Sequence, residues 1–390
     1  MEVRPGYKQT EIGVIPEDWE IVNLRSCLSS HPDYGLNAPA VSYSDQLPKY
    51  LRITDITGDG RISKSNPVSV RNPDANSYYL KEGDIVFART GASVGKSYKY
   101  CLEDGPLVFA GFLIRIHPNE LNLNAQFFAE YVQTFSYWHW VKIMSMRSGQ
   151  PGINGNEFAM MTIPKPKIKE QRQISTVLKD VKNLLYALDQ LIAKKRDLKQ
   201  AAMQQLLTGK TRLPGFEGGW EVKTLATIVD YTNGKAHEQS ITDFGKFTVV
   251  NSKFISTEGI VRKYSENCFC PARKNDVLMV MSDVPNGKAI AKCFWVEIEN
   301  RYTVNQRICA LNPKEIDGKL LFYKLNRNPY YLAFDDGVKQ TNLLKEDVLS
   351  LPLSIPKSKD EQTAIASILS DMDYEITALE QRRAKTADLK

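Results

Sequence analysis

The sequence predicts an α+β protein written twice: two mixed globular heads, each followed by a long spacer helix, with the two helices packed as an antiparallel coiled coil. Three observations carry that prediction. Landmark segments recur in the same order at a nearly constant separation of about 190–200 residues, which is the mark of a tandem duplication. A long amphipathic run follows each set of landmarks. The stretches between landmarks mix short β-rich segments with Gly, Asn, Pro and Ser turns.

The first landmark, IPEDWEIVNL (Ile15–Leu24), is echoed by GFEGGWEVKTL (Gly215–Leu225), which sets Trp19 against Trp220 and Leu24 against Leu225. The second, EGDIVFARTGASVGKSYKY (Glu82–Tyr100), parallels KNDVLMVMSDVPNGKAIAKC (Lys274–Cys293). It sets Asp84 against Asp276, and Gly95-Lys96 against Gly287-Lys288. The third, IPKPKIKEQRQI (Ile163–Ile174), parallels IPKSKDEQTAI (Ile355–Ile365), and Lys194 with Asp197-Leu198-Lys199 matches Lys385 with Asp388-Leu389-Lys390. The implied units are a first head over 1–168, a first spacer helix over 169–212, a second head over 213–359 and a second spacer helix over 360–390.

In each head, runs such as DIVFA (Asp84–Ala88), FLIRI (Phe112–Ile116) and DVLMVM (Asp276–Met281) read as strands, and Ala125–Thr134 reads as a helix. From Glu170 to about Leu207 no Gly or Pro intervenes. Ile174, Val177, Val181, Leu184, Leu188, Leu191 and Leu198 recur there at three- and four-residue spacing. Such a helix is roughly 55 Å long at 1.5 Å per residue. The pattern restarts with Ile365, Ile368, Leu369, Met372, Ile376 and Leu379. A lone helix must cover its apolar stripe. The other copy's helix is the expected cover and would set the heads at opposite ends of a rod, the alternative being two helices that each fold back on their own head.

Composition adds bounds. The 390 residues suffice for two or three domains with cores of their own. No apolar run reaches the roughly 20 residues of a membrane span, and MEVRPGYKQTEIG lacks a signal-peptide core, so a cytoplasmic protein is expected. The six cysteines (Cys27, Cys101, Cys268, Cys270, Cys293, Cys309) form no C-x-x-C pair, and the four histidines build no zinc spacing, so buried or idle thiols and no metal are expected. A formal charge of +6 permits a nucleic-acid partner without demanding one.

Catalytic motifs fail on inspection. Gly91-Ala92-Ser93-Val94-Gly95-Lys96-Ser97 sets three residues between its glycines where a phosphate-binding loop needs four, and its repeat Asp283–Ala289 lacks the first glycine and the hydroxyl. It is either a plain structural turn or a basic loop that approaches a DNA backbone. Asn328-Pro329-Tyr330-Tyr331 approaches the N-P-P-[YF] motif of amino-methyltransferases without its middle proline, and no Gly-rich strand end is present to hold S-adenosylmethionine; an Asn-Pro turn after a helix over Leu320–Arg327 explains it. Neither Pro32-Asp33 nor Pro73-Asp74 is followed by a nuclease D/E-x-K at usable distance. His31, His117, His139 and His237 have no counterparts in the other copy.

At this point a family is recognisable. Tyr7-Lys8-Gln9-Thr10-Glu11-Ile12-Gly13-Val14-Ile15-Pro16-Glu17-Asp18-Trp19 closely resembles the start of type I restriction–modification specificity subunits. Ile163-Pro164…Glu170-Gln171, repeated as Ile355-Pro356…Glu361-Gln362, resembles that family's junction from head to helix. Leu206-Leu207-Thr208-Gly209-Lys210 and Arg212-Leu213-Pro214-Gly215-Phe216 resemble its helix end and re-entry. The resemblance spans the whole chain, twice.

It implies two target-recognition domains, each reading one half of a split double-stranded DNA target, with the helices as the ruler between them. Two copies of the modification (adenine methyltransferase) subunit would dock along the helices, and the restriction (endonuclease/translocase) subunit would join them. S-adenosylmethionine and ATP would be bound by those partners only, leaving this chain non-catalytic. One departure stands out: the first helix continues through Gln200–Thr211, whereas the second stops at Lys390, the match of Lys199, so it is expected to be shortened there or to lack that final stretch.

Within the heads, polar and basic residues of the repeated loops are the expected DNA contacts, because they grip phosphates or pair with purine edges. They are Arg89 and Lys96 in the glycine loop of the first head, and Asn286 and Lys288 in that of the second. Arg147, Gln150 and Asn154 precede the first junction and answer to Lys339, Gln340 and Asn342. Lys194-Lys195-Arg196 and Lys199 would face DNA, an acidic partner surface or solvent. Two other classes compete: a fused methyltransferase–nuclease, for which the chain has no room, and a coiled-coil scaffold, which leaves two different loop-rich heads without a purpose.

Overall fold

In the computed structural model, residues 4–63, 65–146, 151–285 and 287–389 are described. The chain divides into two compact units at Asn183 and Leu184.

The first unit is organised around a four-stranded antiparallel sheet. Strand β1 (Glu20–Asn23) pairs outside it, while β2 (Asp33–Tyr34), β3 (Ile85–Ala88), β4 (Ser97–Lys99) and β5 (Leu113–Ile116) lie in the order β2-β5-β3-β4. All four residues of β3 are buried, and alternate side chains enter different cores. Ile85 and Phe87 join Ile114, Phe128, Tyr137 and Phe158 on the helix side, whereas Val86 and Ala88 join Leu51, Tyr98 and Phe109 on the other. Burial on both faces explains why Asp84–Ala88 reads as one apolar run rather than an alternating one.

The helix side is supplied by α1 (Ala125–Tyr131), α2 (Phe135–Met144) and α3 (Gly155–Ala159). The single helix expected over Ala125–Thr134 is therefore two. Thr134 leaves helical geometry and its hydroxyl caps the Tyr137 amide, starting a new helix. Strand β6 (Thr162–Lys165) returns antiparallel to β1 and leads into α4 (Ile168–Leu206), a 39-residue helix close to the expected Glu170–Leu207.

The second unit repeats this order. Strand β7 (Trp220–Thr224) pairs with the later β14 (Pro352–Pro356) as β1 does with β6. The central sheet runs β8-β12-β9-β11, from β8 (Val229–Asn233), β9 (Val277–Val280), β11 (Cys293–Trp295) and β12 (Ile308–Pro313). Between them lie β10 (Ser282–Asp283), α5 (Gly318–Leu325), β13 (Thr341–Asn342) and α6 (Lys345–Leu349), and α7 (Lys359–Asp388) closes the described chain. Strand β9 again feeds two cores, Val277 and Met279 on the helix side, Leu278 and Val280 on the other. The duplication extends to close backbone crossings. A Cβ on Gly35 would sit 2.3 Å from the Ala110 carbonyl, and one on Gly234 would sit 2.0 Å from the Asn305 carbonyl.

The head-to-helix joint is built twice from the same atoms. Trp19 Nε1 donates to Glu170 at 3.1 Å, and Trp220 Nε1 donates to Glu361 at 3.3 Å. Buried Gln171 donates to the Pro166 carbonyl and accepts from the Asn124 amide, each at 2.8 Å; buried Gln362 does the same with Pro356 and Asp317, also at 2.8 Å. In the second copy Arg212 adds a bidentate pair to Glu361 at 2.6 and 2.7 Å.

Within the second unit, the C-terminal half of α4 and α7 run antiparallel. Lys195 pairs with Glu375, Arg196 with Glu380, Lys199 with Asp373, and Arg383 with Asp189, so partner numbers fall along α7 as they rise along α4. The antiparallel expectation holds; the expected stripe holds only in part, at Leu188 and at Ile174, which packs against the first head's core. The buried seam of α4 runs through Leu188, Ile192 and Leu206, with half-buried Lys195, Lys199, Ala202 and Met203 between them. Two seam positions are lysines whose stems cover apolar surface while their ammonium groups reach α7 carboxylates. Lys195, Arg196 and Lys199 of the basic cluster thus face an acidic surface supplied by the chain itself, and Lys194 is exposed. Leu184, Leu191 and Leu198 remain 39, 39 and 46 % exposed. No helix among the described residues is long and apolar enough to cross a membrane, and no group of three or more His, Cys, Asp or Glu could hold a metal.

Candidate nucleic-acid interface

The glycine loop of the first head joins β3 to β4. Gly91 and Gly95 adopt φ of +71° and +86°, and a Cβ on Gly95 would meet Val141 at 2.7 Å, so only glycine fits that turn against α2. Tyr137 Oη donates to the Gly95 carbonyl at 2.6 Å and fixes it further. Three of the loop's amides are spent internally: Gly95 N on Ala88 O at 2.9 Å, Val94 N on Gly91 O at 3.1 Å and Lys96 N on Ser93 O at 3.0 Å. With only three residues between its glycines and these amides already used, the loop does not match a nucleotide phosphate cradle.

Long-range pairing brings this loop to the segment before the junction. Gly91 N donates to Pro151 O at 3.0 Å, Ile153 N donates to Arg89 O at 2.9 Å, and Thr90 bridges Gly152. Arg89, Lys96 and Asn154 are therefore parts of one platform. Arg89 is half-buried; its Nε donates to the Gly111 carbonyl at 3.2 Å and its guanidinium lies 5.0 Å from the centre of the Tyr34 ring. Tyr34 Oη in turn accepts from the Gly155 amide at 3.1 Å. Beneath this, Arg115 grips Asp33 at 3.1 and 2.6 Å and so fixes β2, which carries Tyr34. Lys96 is half-buried at the far side of the turn. Asn154 caps α3: its Oδ1 accepts from the Glu157 amide at 2.9 Å while Glu157 accepts from its own amide at 2.7 Å. Arg147, Gln150 and Asn286 lie outside the described residues.

The second head builds the same platform differently. Ser282 and Asp283 pair with Asn342 and Thr341, the register that Thr90 and Gly152 hold in the first head. The Asp283 carboxylate fills the loop and accepts from the Val284, Ala289 and Ile290 amides at 2.9, 2.6 and 3.0 Å. Lys288 projects from this loop and is exposed. Lys339 and Gln340 are exposed too; Gln340 Nε2 donates to Ser282 Oγ at 2.9 Å and Asn342 Oδ1 at 3.1 Å. The backbone amides of Val338 and Lys339 hold the Asp336 carboxyl below its usual range, so a negative charge persists at the base of this lysine loop.

One expected equivalence is corrected. Asn154 does not answer to Asn342. Gly152 occupies the Asn342 position in the strand pairing, and Asn154 occupies that of Leu344, whose amide donates to Asp347 at 2.7 Å as the Asn154 amide does to Glu157. The shared cap geometry shifts the alignment by two residues, which identity matching of asparagines could not show.

Tyr34, Phe112 and Arg307 were not legible as platform residues. The Arg89 amide donates to the Phe112 carbonyl at 3.1 Å, and the Met281 amide donates to the Arg307 carbonyl at 2.9 Å, so Phe112 and Arg307 occupy one position and Arg89 and Met281 another. Among the described residues, the first head thus has an arginine at one of these two positions, Arg89, and the second head has one at the other, Arg307. Asn328, from the motif that approached a methyltransferase signature, caps the Tyr330 amide at 2.9 Å and ends in the expected turn.

The family model for the type I restriction modification DNA specificity domain matches this chain twice, over residues 48–196 and 217–387. The type I restriction enzyme MjaVIII specificity subunit of Methanocaldococcus jannaschii is 22% identical over 407 residues, covering 96% of this chain and 91% of that protein. A second M. jannaschii protein, designated the MjaX type I specificity subunit, is 27% identical over 208 residues, 52% of this chain and 48% of its own length, so the match spans about half of that relative. In fold, the chain is similar to the S subunit of a type I restriction–modification system from M. genitalium, with a TM-score of 0.62 at 14% identity over 100% of this chain and 96% of that one. A chain from a structure on complex assembly and conformational transition of the type I R-M system gives a TM-score of 0.54 at 18% identity, covering 96% and 95%. Matched by its model in both copies, this chain belongs to the type I restriction modification DNA specificity domain family.

Proposed function

We propose that this chain is the DNA-reading specificity subunit of a type I restriction–modification complex, each head reading one half of a bipartite target. The observation that carries the reading is the pair of loop platforms, built on the same backbone pairing in both heads and furnished with different side chains. A scaffold has no use for that difference, whereas a reader of two unlike half-sites requires it. In this reading the chain itself is non-catalytic. S-adenosylmethionine and ATP are bound by the modification and restriction subunits, and the complex works on double-stranded DNA in the cytoplasm.

The helices set the gap between half-sites and dock two copies of the modification subunit. Leu184, Leu191 and Leu198 support the docking role, because one exposed leucine per heptad along α4 is the face a partner would cover.

The test is to co-express the chain with the modification subunit encoded beside it and map adenine methylation on random-sequence DNA, with that subunit alone as control. Methylation at one split motif with a fixed unspecified gap, dependent on this chain, is the expected result. A stable complex that modifies no defined motif would sink the reading in favour of a scaffold.

A further inference from the structure

Arg89 differs from the other basic residues of the platforms in how it is held. Its Nε is bound to the Gly111 carbonyl, its guanidinium carbon lies over the Tyr34 ring at 5.0 Å from the centre, and Tyr34 is itself anchored by the Gly155 amide. Among the described residues, its two Nη atoms have no hydrogen-bond or ion-pair partner. A guanidinium tied at Nε and set over an aromatic ring has less rotamer freedom to lose when a ligand arrives, while its outer fork stays uncommitted. Phosphate gripping needs charge at flexible reach, which Lys96 and the exposed Lys288 and Lys339 supply. A fixed planar fork matches two acceptors set side by side, which a phosphate offers and which guanine O6 and N7 present on a base edge in the major groove; with lysines available for the backbone, the base edge is the role left to the fork. In the second head the same strand position holds Met281, which has no fork to offer.

We propose that Arg89 is a specificity-determining residue of the first head, reading one guanine through its Nη pair, with Tyr34 as its positioning residue. This rests on the DNA-reading function proposed above and adds which residue reads which base.

The experiment is the methylation map of the complex assembled with wild-type chain, Arg89→Ala, Arg89→Lys and Tyr34→Leu. In the wild type one half-site contains a G·C pair that both Arg89 variants stop distinguishing, discrimination at that position falling about ten- to a hundred-fold. The other half-site stays intact and reports that the chain is folded and assembled. Tyr34→Leu relaxes the same position and no other. If Arg89→Ala yields no complex, Arg89→Lys decides, since it keeps the charge and removes only the fork. Two results overturn the proposal: a motif unchanged in the Arg89 variants, or a uniform fall in methylation with the motif intact that Arg89→Lys restores, as a phosphate contact would give. A wild-type complex with no motif at all would instead strike the DNA-reading function itself.

Discussion

At the scale of single residues, the two buried glutamines of the joints show how much one side chain can organise. Gln362 is 1 % exposed, and both ends of its carboxamide are used, on the Pro356 carbonyl and the Asp317 amide. Gln362→Leu keeps the volume and orphans both groups. The expected loss is about 1–3 kcal/mol for each, read as a lower urea midpoint for the second unit, whereas a neutral result would mean that water reaches the joint. The Glu-Gln pair was legible in the sequence as a repeated landmark, but its task was not. The groups it binds, Asn124 in one copy and Asp317 in the other, lie tens of residues upstream, and local patterning carries no such information. Arg89 was legible as a basic loop residue; the Tyr34 ring beneath it was not, for the same reason.

At the scale of elements, α4 was legible in extent and partly misread in orientation. A stripe drawn through leucines misses a seam in which Lys195 and Lys199 take core positions, because stem and charge of a lysine serve different surroundings. The leucines left outside that seam make a prediction. Leu191→Asp is expected to leave the far-UV spectrum and thermal midpoint nearly unchanged while weakening co-purification of the modification subunit at least tenfold; retained binding would place the partner elsewhere.

The end of α4 carries a second prediction. Buried Lys324 on α5 donates to the Leu207 carbonyl at 2.7 Å and to Ser354 on β14 at 2.6 Å, and burial pushes its ammonium down to about 8. A lysine depressed in the folded state binds fewer protons there than in the unfolded chain. Its contribution is therefore complete above the ordinary lysine value and is lost as pH falls through about 8. Stability should rise between about pH 8 and 10 in the wild type, and Lys324→Met should remove that rise in denaturant titrations at stepped pH.

At the scale of the whole molecule, each unit has its own helix-side core, one around Phe87 and Phe128 and the other around Met279 and Leu321. Calorimetry should resolve two transitions, and Gly95→Ala, which drives a Cβ to 2.7 Å from Val141, should lower one midpoint and leave the other in place. A single transition displaced as a unit would show that the two cores melt together. The duplication was legible at the joints, where Trp19, Gln171 and their partners retain identity. It faded inside the heads, where insertions shift the offset and equivalence survives only as backbone geometry, as at Gly35 and Gly234. That geometry has an evolutionary consequence. Where a backbone carbonyl leaves no space for even a methyl group the glycine is kept, as at Gly35 and Gly234. A strand walled in on both faces keeps its apolar character while its letters change, Ile85–Ala88 against Val277–Val280. Innovation is then confined to the strand ends, so a lineage can rewrite what the protein recognises while the frame that presents it stands still.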